Sequence, residues 1–260
     1  MAQKNLSLRK LSVRDAWGLI EVIESEGEVT LHFGNHTAQS GWHPAQPAKL
    51  AFGYYRALLT GLVLHPDPHC LNLYGLGGGA LARYLLEYTD ISVHAHDLRP
   101  SLAPIAQQYF GLDLEHRRLQ LQFGDICASD ELADVPAADI IWVDIFDEQG
   151  MVPIPTRSLA QMARQLGQIG VLCINVWRND LRSLGDLTCA LEHFFDPDPL
   201  VLRVPERYNS VLCYRRTMAT PRLTASASPD HEFLKPRARN PARGNWLAGS
   251  TATKAARLNR

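Results

Sequence analysis

Cys70-Leu71-Asn72-Leu73-Tyr74-Gly75-Leu76-Gly77-Gly78-Gly79-Ala80 is the stretch whose reading decides the fold. Its first half reads as a short buried strand and its second half as a glycine turn. Leu81 to Tyr88 then reads as a helix. A strand that breaks on glycines into a helix brings backbone N–H groups and a helix N-terminus to one point. Such a point suits the ribose and polar tail of a nucleotide-like ligand. A glycine pattern alone also fits a tight turn with no ligand, so the other strand ends must be read with it.

Working outward, a strand–helix rhythm follows. Strands are expected at Ile91–His96, Leu119–Phe123, Asp139–Val143 and Gly170–Val176. Helices are expected at Ser101–Phe110, Thr156–Leu166 and Leu181–Phe195. This alternation argues for a parallel sheet covered on both faces. Leu200–Val204 and Ser210–Tyr214, separated by Pro205-Glu206-Arg207-Tyr208-Asn209, read as a terminal hairpin. Upstream, residues 1–15 are polar and read as loose. Trp17–Ile23 and Glu28–Phe33 alternate apolar and polar around Ser25-Glu26-Gly27, a β-hairpin signal. Ala48–Leu64 has helical apolar spacing, stopped by His65-Pro66-Asp67-Pro68. The fold class is thus α/β: a doubly wound, mostly parallel, seven-stranded, Rossmann-like sheet. The divisions are an N-terminal β-hairpin module and loop (1–47), a nucleotide-type domain (48–216) and a basic disordered tail (217–260).

Bulk properties narrow the function classes. With 46% hydrophobic and 20% charged residues the chain is ordinary for a globular protein, and its net charge of −1 suggests neither nucleic acid nor a membrane as partner. The tail carries Arg222, Lys235, Arg237, Arg239, Arg243, Lys254, Arg257 and Arg260 against Asp230 and Glu232. A solvated tail and an electrostatic binding arm are both readings of it. Cysteines at 70, 127, 173, 189 and 213 are odd in number and widely spaced. They read as free thiols in a reducing compartment, with Cys70, Cys173 and Cys213 buried in apolar runs. The N-terminus has no signal-peptide core and no apolar run spans a bilayer, which places the protein in the cytoplasm.

In a doubly wound sheet, ligands bind at the carboxyl ends of the strands. There stand Gly75, Gly77 and Gly79; then Asp97, 22 positions after Gly75; then Gly124-Asp125; then Asp144-Ile145-Phe146-Asp147. Asp97 could accept from both ribose hydroxyls and Asp125 from an exocyclic amine. Asp144 and Asp147 could hold a cationic ligand, or one could act as a base. Any one of these acids also fits a turn or helix cap; their alignment is what argues for a site. Asp-x-x-Asp and scattered histidines make no metal site, and His94 with His96 read as a packed or surface pair. Gly75-x-Gly77-x-x-Ala80 also satisfies a dinucleotide fingerprint, which keeps an NAD-dependent enzyme in view.

The order of these residues, from Trp17 to Tyr214, resembles the spermidine synthase-like branch of the class I AdoMet-dependent methyltransferase fold. The resemblance rests on His65-Pro66 through Gly75, Asp97, Gln107-Gln108-Tyr109-Phe110, Gly124-Asp125 and Asp139 through Asp147. It implies an adenosyl-sulfonium co-substrate, decarboxylated S-adenosylmethionine or S-adenosylmethionine, held by Gly75, Gly77, Gly79, Asp97, Asp125 and Gln39, with no metal. It also implies Asp144 as catalytic base and Asp147 as amine-substrate binder, acting on a small-molecule amine. Three departures stand out: Gly78 where the family carries an acid, Gly53-Tyr54-Tyr55 where it carries Tyr-His-Glu, and Glu148 where it carries proline. The activity expected is alkyl (aminopropyl) transfer. Methyl transfer from AdoMet and a non-catalytic homologue that keeps the pocket are the alternatives. Exposed strand edges of the N-terminal hairpin could pair in a homodimer.

Overall fold

The computed structural model describes residues 7–128, 135–192, 194–196, 198–205, 208–216 and the backbone of 253–254. Five consecutive parallel strands form its centre: β5 (Cys70–Tyr74), β6 (Ser92–Asp97), β7 (Leu119–Phe123), β8 (Ala138–Val143) and β9 (Leu166–Trp177). The antiparallel hairpin β10 (Leu200–Arg203) and β11 (Asn209–Arg215) extends the sheet, making the expected seven strands. A two-residue strand, β12 (Thr253–Lys254), lies on the outer edge of β10, giving the order β12-β10-β11-β9-β8-β5-β6-β7. The rest of the basic tail, 217–252 and 255–260, lies outside the described residues. From β5 the chain steps outward to β6 and β7, then returns to place β8 on the other side of β5. The connections leave β5 and β8 in opposite directions, so a crevice opens between their carboxyl ends.

Alternation along the strands explains the two layers. Leu71, Leu73, Ile140, Trp142, Val171, Cys173, Val211 and Cys213 face one core. Tyr74, Ile141, Val143, Leu172, Ile174, Leu212 and Tyr214 face the other. The helices α3 (Ala80–Tyr88) and α4 (Leu102–Phe110) cover the first face, with α1 (Gly53–Leu58). The second is covered by α5 (Thr156–Gln165) and α6 (Leu181–Leu191). The central strands β5, β8, β9 and β11 are therefore largely buried on both sides, which is why their apolar runs are continuous.

The expected N-terminal hairpin is there but is part of a larger sheet. β1 (Leu8–Asp15), β2 (Gly18–Ser25), β3 (Glu28–His32) and β4 (Ala38–Trp42) form a four-stranded antiparallel sheet in sequence order. Glu26 and Gly27, both at positive φ, make the two-residue β2–β3 turn. Residues 8–15 are a strand, not a loose segment. β1 is almost wholly exposed and is held by its ladder to β2 and by the ion pairs Arg9–Glu21 (3.1 Å) and Lys10–Glu24 (3.0 Å), so no apolar alternation announces it. Ile20, Val22, Val29 and Leu31 join the same core as α1 and α3. The helix expected over 48–64 begins only at Gly53, because Leu50 bridges back to Trp42. It is divided at Leu59 into α1 and α2 (Thr60–Leu64). It ends at His65, extended before Pro66 as a pre-proline residue must be.

All five cysteines are free. Cys173 and Cys213 are buried as expected, but Cys70, the first residue of β5, is exposed. Among the described residues no helix is long and apolar enough to cross a membrane.

Candidate active site

The glycine turn after β5 is shaped by backbone crossing. Gly75 sits at φ 99°, and a Cβ there would stand 2.1 Å from the Asp144 carbonyl oxygen. Only glycine lets the β5 and β8 ends approach this closely. The N–H groups of the turn are already engaged. Gly75 donates to His96 O (2.8 Å), and Leu76 and Gly77 donate to Asp97 Oδ2 (2.8 and 3.3 Å). Gly78 donates to Ser40 Oγ and Gly79 to Leu76 O (2.8 Å each). A diphosphate grip needs such donors free, so the dinucleotide reading loses its physical basis.

A cavity of about 450 Å³ lies over this turn. Its wall brings together seven of the eight candidate residues: Gly75, Gly77, Asp97, Asp125, Asp144, Asp147 and Gln39. Gly79 is not on the wall. It precedes α3 in the left-handed region (φ 74°), where a Cβ would meet Leu112 at 2.9 Å and Ala106 at 3.1 Å. Its place is in helix entry and close packing. Gly78 is buried and faces away, since a Cβ there would strike the Phe110 ring at 2.9–3.0 Å. An acid at 78 could not reach the cavity without moving Phe110.

Asp97 accepts from the turn through Oδ2 and from Arg99 N through Oδ1 (3.0 Å). Burial raises its pKa, opposed by those same N–H donors. Asp125 and Asp147 cap their own turns. Asp125 Oδ1 accepts from Cys127 N (2.8 Å), and Asp147 Oδ1 accepts from Gln149 N (2.7 Å) and Gly150 N (3.0 Å). Both are exposed, and both still border the cavity. His96 is buried and stacks on Tyr74 (5.1 Å between centroids), and burial lowers its pKa to about 4. It is a packed histidine. Among the described residues no group of three metal-ligating side chains comes together.

Asp144 has a different setting. It follows the apolar run Ile140–Val143, its N–H bonds Tyr74 O (2.8 Å), and its Oδ1 accepts from Asn175 Nδ2 (2.8 Å). Asn209 Nδ2 in turn donates to Asn175 Oδ1 (2.9 Å). The Tyr54 hydroxyl also meets the carboxylate. Burial pushes the Asp144 pKa up to about 6, against the lowering effect of Asn175 and Tyr54. The neighbouring Tyr55 is pushed up to about 12 by burial and the Asp144 charge. A carboxylate raised this way is a stronger base than an exposed one and is still ionised near neutrality.

The N-terminal sheet closes the cavity from above. Arg99 Nε and Nη2 bond Asp15 Oδ2 and Oδ1 (3.0 and 2.7 Å), and Ser101 Oγ donates to Asp15 Oδ2 (2.5 Å). Asn35 Nδ2 donates to Glu148 O (2.8 Å) across the acidic loop. Trp17 and Phe33 reach the cavity wall beside Arg99. Sequence reasoning missed Asn175, although reading strand ends one strand further, to Cys173-Ile174-Asn175-Val176-Trp177, would have found an amide in an apolar run. It missed the Arg99–Asp15 pair too, which no local pattern marks.

Against known proteins, no protein-family model matches the chain. The polyamine aminopropyltransferase of Chromobacterium violaceum is 32% identical over 168 residues, covering 62% of each chain. That of Neisseria meningitidis serogroup A is 30% identical over 168 residues with the same coverage. The chain thus matches 62% of the length of these curated relatives. Among solved structures, a probable spermidine synthase from Corynebacterium glutamicum superposes with a TM-score of 0.68 over 83% of each chain at 18% identity. A spermidine synthase in complex with the transition-state analogue AdoDATO gives 0.66 over 81% of this chain and 74% of that one at 15% identity.

The fold is the spermidine synthase-like form of the class I methyltransferase fold. The wider fold appears in human methyltransferase-like protein 13 in complex with SAH, with a TM-score of 0.56 over 65% of this chain and 86% of that one at 24% identity. The named relatives are transferases.

Proposed function

We infer that the protein is a spermidine synthase-like transferase that takes an adenosyl-sulfonium donor and alkylates an amine with Asp144 as base. The observation that carries this reading is Asp144 itself. It is a carboxylate at the switch-point strand end, raised to about 6 by burial and oriented by Asn175. It borders a cavity whose wall also holds Asp97 and the glycine turn. The names of the relatives and the AdoDATO and SAH held by structural neighbours support an adenosyl-type co-substrate.

In this reading Asp97 and Asp125 hold the ribose and the adenine edge, and Gly75 and Gly77 let the nucleoside lie close to the backbone. Gln39 and Asp147 stand on either side of the reacting centre. The acceptor's ammonium gives a proton to Asp144 and becomes a free amine. Its nitrogen lone pair attacks the methylene carbon next to the sulfonium; a C–N bond forms, the C–S bond breaks, and the sulfur leaves as a neutral thioether. The residues contribute orientation, the base and a negative field around the cationic reactants.

Methyl transfer from AdoMet is the second reading. It shares the adenosyl-sulfonium donor class, and Gly78 does not decide between the two, because position 78 faces Phe110 and not the cavity. Incubation with each labelled donor and a panel of amines separates the two. Methylthioadenosine as product supports aminopropyl transfer, and S-adenosylhomocysteine supports methyl transfer. Tight nucleoside binding with neither product overturns both in favour of a non-catalytic pocket.

A further inference from the structure

A second cavity, of about 650 Å³, opens beside the first. The two walls share Gln39 and Phe146, and they meet where Tyr54 and Asn175 contact Asp144. At that junction two buried amides end an otherwise apolar row. In the β9–β11 register Asn175 lies opposite Val211 and Trp177 opposite Asn209, so Asn175 and Asn209 are diagonal neighbours on one face of the sheet. The same face continues into Val171, Cys173, Val211 and Cys213. A buried amide in such a row is destabilising unless its polar ends are bonded.

The direction of the bonds is set from the charge outward. An ionised Asp144 only accepts, so Asn175 turns its Nδ2 to Oδ1 of the carboxylate (2.8 Å) and its own Oδ1 away. Asn209 meets that amide oxygen with Nδ2 at 2.9 Å. If Asn175 rotated end for end, two N–H groups would face each other at Asn209 and two oxygens would face each other at Asp144. A protonated Asp144 tolerates the second clash, but Asn209 still forbids the first. We propose that Asn209 is a positioning residue for the base: it locks the Asn175 amide with its N–H on Asp144, and so holds that carboxyl in the form that accepts a proton. This inference rests on the transferase reading above.

The other titratable groups around the carboxylate stay constant in the test. Burial raises Tyr54 and Tyr55 of α1, which remain neutral, and lowers His96 of β6 to about 4. Asp97, Arg99, Asp125, Asp147 and Glu148 border the first cavity and Arg178 the second. None of them is altered in the variants compared.

Carboxyl-carbon NMR of the full chain, isotope-labelled in its aspartates, tests the lock without needing turnover. The Asp144 signal is the one lost in Asp144→Asn. Its titration midpoint should rise by about one pH unit in Asn209→Leu, which keeps the volume and removes the donor. Asn209→Asp, which when ionised only accepts, should raise it at least as far, and it replaces the leucine variant if that one does not fold. In an Asn175→Leu background, Asn209→Leu should add less than about 0.3 pH unit, because no amide is left to hold. An unmoved midpoint overturns the proposal and leaves the transferase reading standing. A full shift in the Asn175→Leu background also overturns it, since Asn209 would then act on Asp144 by another route. In the donor assay above, the acid limb of kcat/KM should move with the midpoint. If the midpoint shifts while turnover is absent or its limb stays put, the reading of Asp144 as base falls and takes the positioning role with it.

Discussion

The two cavities that meet at Asp144 are built differently. The first is made by the ends of parallel strands: Gly75 after β5, Asp97 at the end of β6, Asp125 after β7 and Asp144 after β8. Its geometry is fixed by a sheet buried on both faces. The second is made by segments that meet only in the folded chain: residues 37–54, the end of β9 and the β10–β11 connection. Its wall is amide and ring instead of acid and glycine. A shared donor needs a fixed cradle, which strand ends provide, while acceptor choice can vary on elements the sheet does not constrain. Substitutions in the first cavity should therefore remove binding or turnover outright, and those at its borders should act by degrees.

The largest effect is expected at Gly75. Gly75→Ala puts a Cβ 2.1 Å from a backbone oxygen at φ 99°, so the β5 and β8 ends must part. Thermal unfolding should show a loss of at least about 3 kcal/mol, with donor binding abolished. Wild-type stability with intact binding would show that the strand ends are not the rigid cradle supposed here.

Asp144→Asn comes next and splits two properties. Turnover should fall by about 10²–10⁴, the usual worth of a positioned base, while methylthioadenosine affinity stays within about threefold. Stability should move the other way. The folded pKa of about 6 lies above the ordinary aspartate value of 3.8. The folded state therefore favours the protonated form, and ionisation costs stability progressively as pH rises from about 4 to above 6. At pH 7–8 the variant should be more stable by at most about 3 kcal/mol, and at pH 3 the difference should vanish. Chemical denaturation at the two pH values checks this. In the wild type, kcat/KM should fall as pH is lowered through about 6, and that limb should be absent from the residual activity of the variant.

The same division explains what was legible in the sequence. Leu71–Tyr74, Ile140–Val143 and Val171–Val176 are apolar because both faces are buried, so strands, order and strand-end acids could be read directly. β1 could not, since Leu8 is 56% exposed and the strand depends on its partner's ladder and ion pairs. Alignment gives a position but not a direction. Gly78 falls where the family carries an acid, yet it faces Phe110 and not the cavity. Asp15 and Arg99 are 84 residues apart, and the amides of the second chamber fit no motif.

A smaller effect is expected at the border between the N-terminal sheet and the first cavity. Asp15 is held by Arg99, Ser101 and Trp17, and these bonds outweigh burial and keep its pKa below 3.8. A depressed pKa means its stabilisation is present above the unfolded value and is lost as pH falls through the folded one. Asp15→Asn should cost about 1–3 kcal/mol at pH 7 by leaving the buried Arg99 guanidinium without its charge partner, and much less at pH 2. Donor KM should rise about tenfold with kcat nearly unchanged, because the clamp orders the cavity's upper wall and makes no contact with Asp144. An equal loss in kcat would mean that the sheet acts on the chemistry itself.

The smallest functional change is expected from restoring the acid that the family carries, and it sharpens the comparison most. Gly78→Asp looks like a repair on alignment alone. In this fold the new Cβ meets the Phe110 ring at 2.9 Å, and Phe110, the last residue of α4, is fully buried, so the ring cannot swing into solvent. Gly78→Asp alone should therefore lose about 1–3 kcal/mol of stability and leave the preference between AdoMet and decarboxylated AdoMet within about threefold of wild type. Gly78→Asp with Phe110→Ala opens space for the new side chain, at the further stability cost of truncating a buried aromatic. If only the double variant turns toward the decarboxylated donor, Phe110 is what keeps this turn neutral. A single variant that stays stable and turns by itself would mean that the turn can rotate position 78 into the cavity.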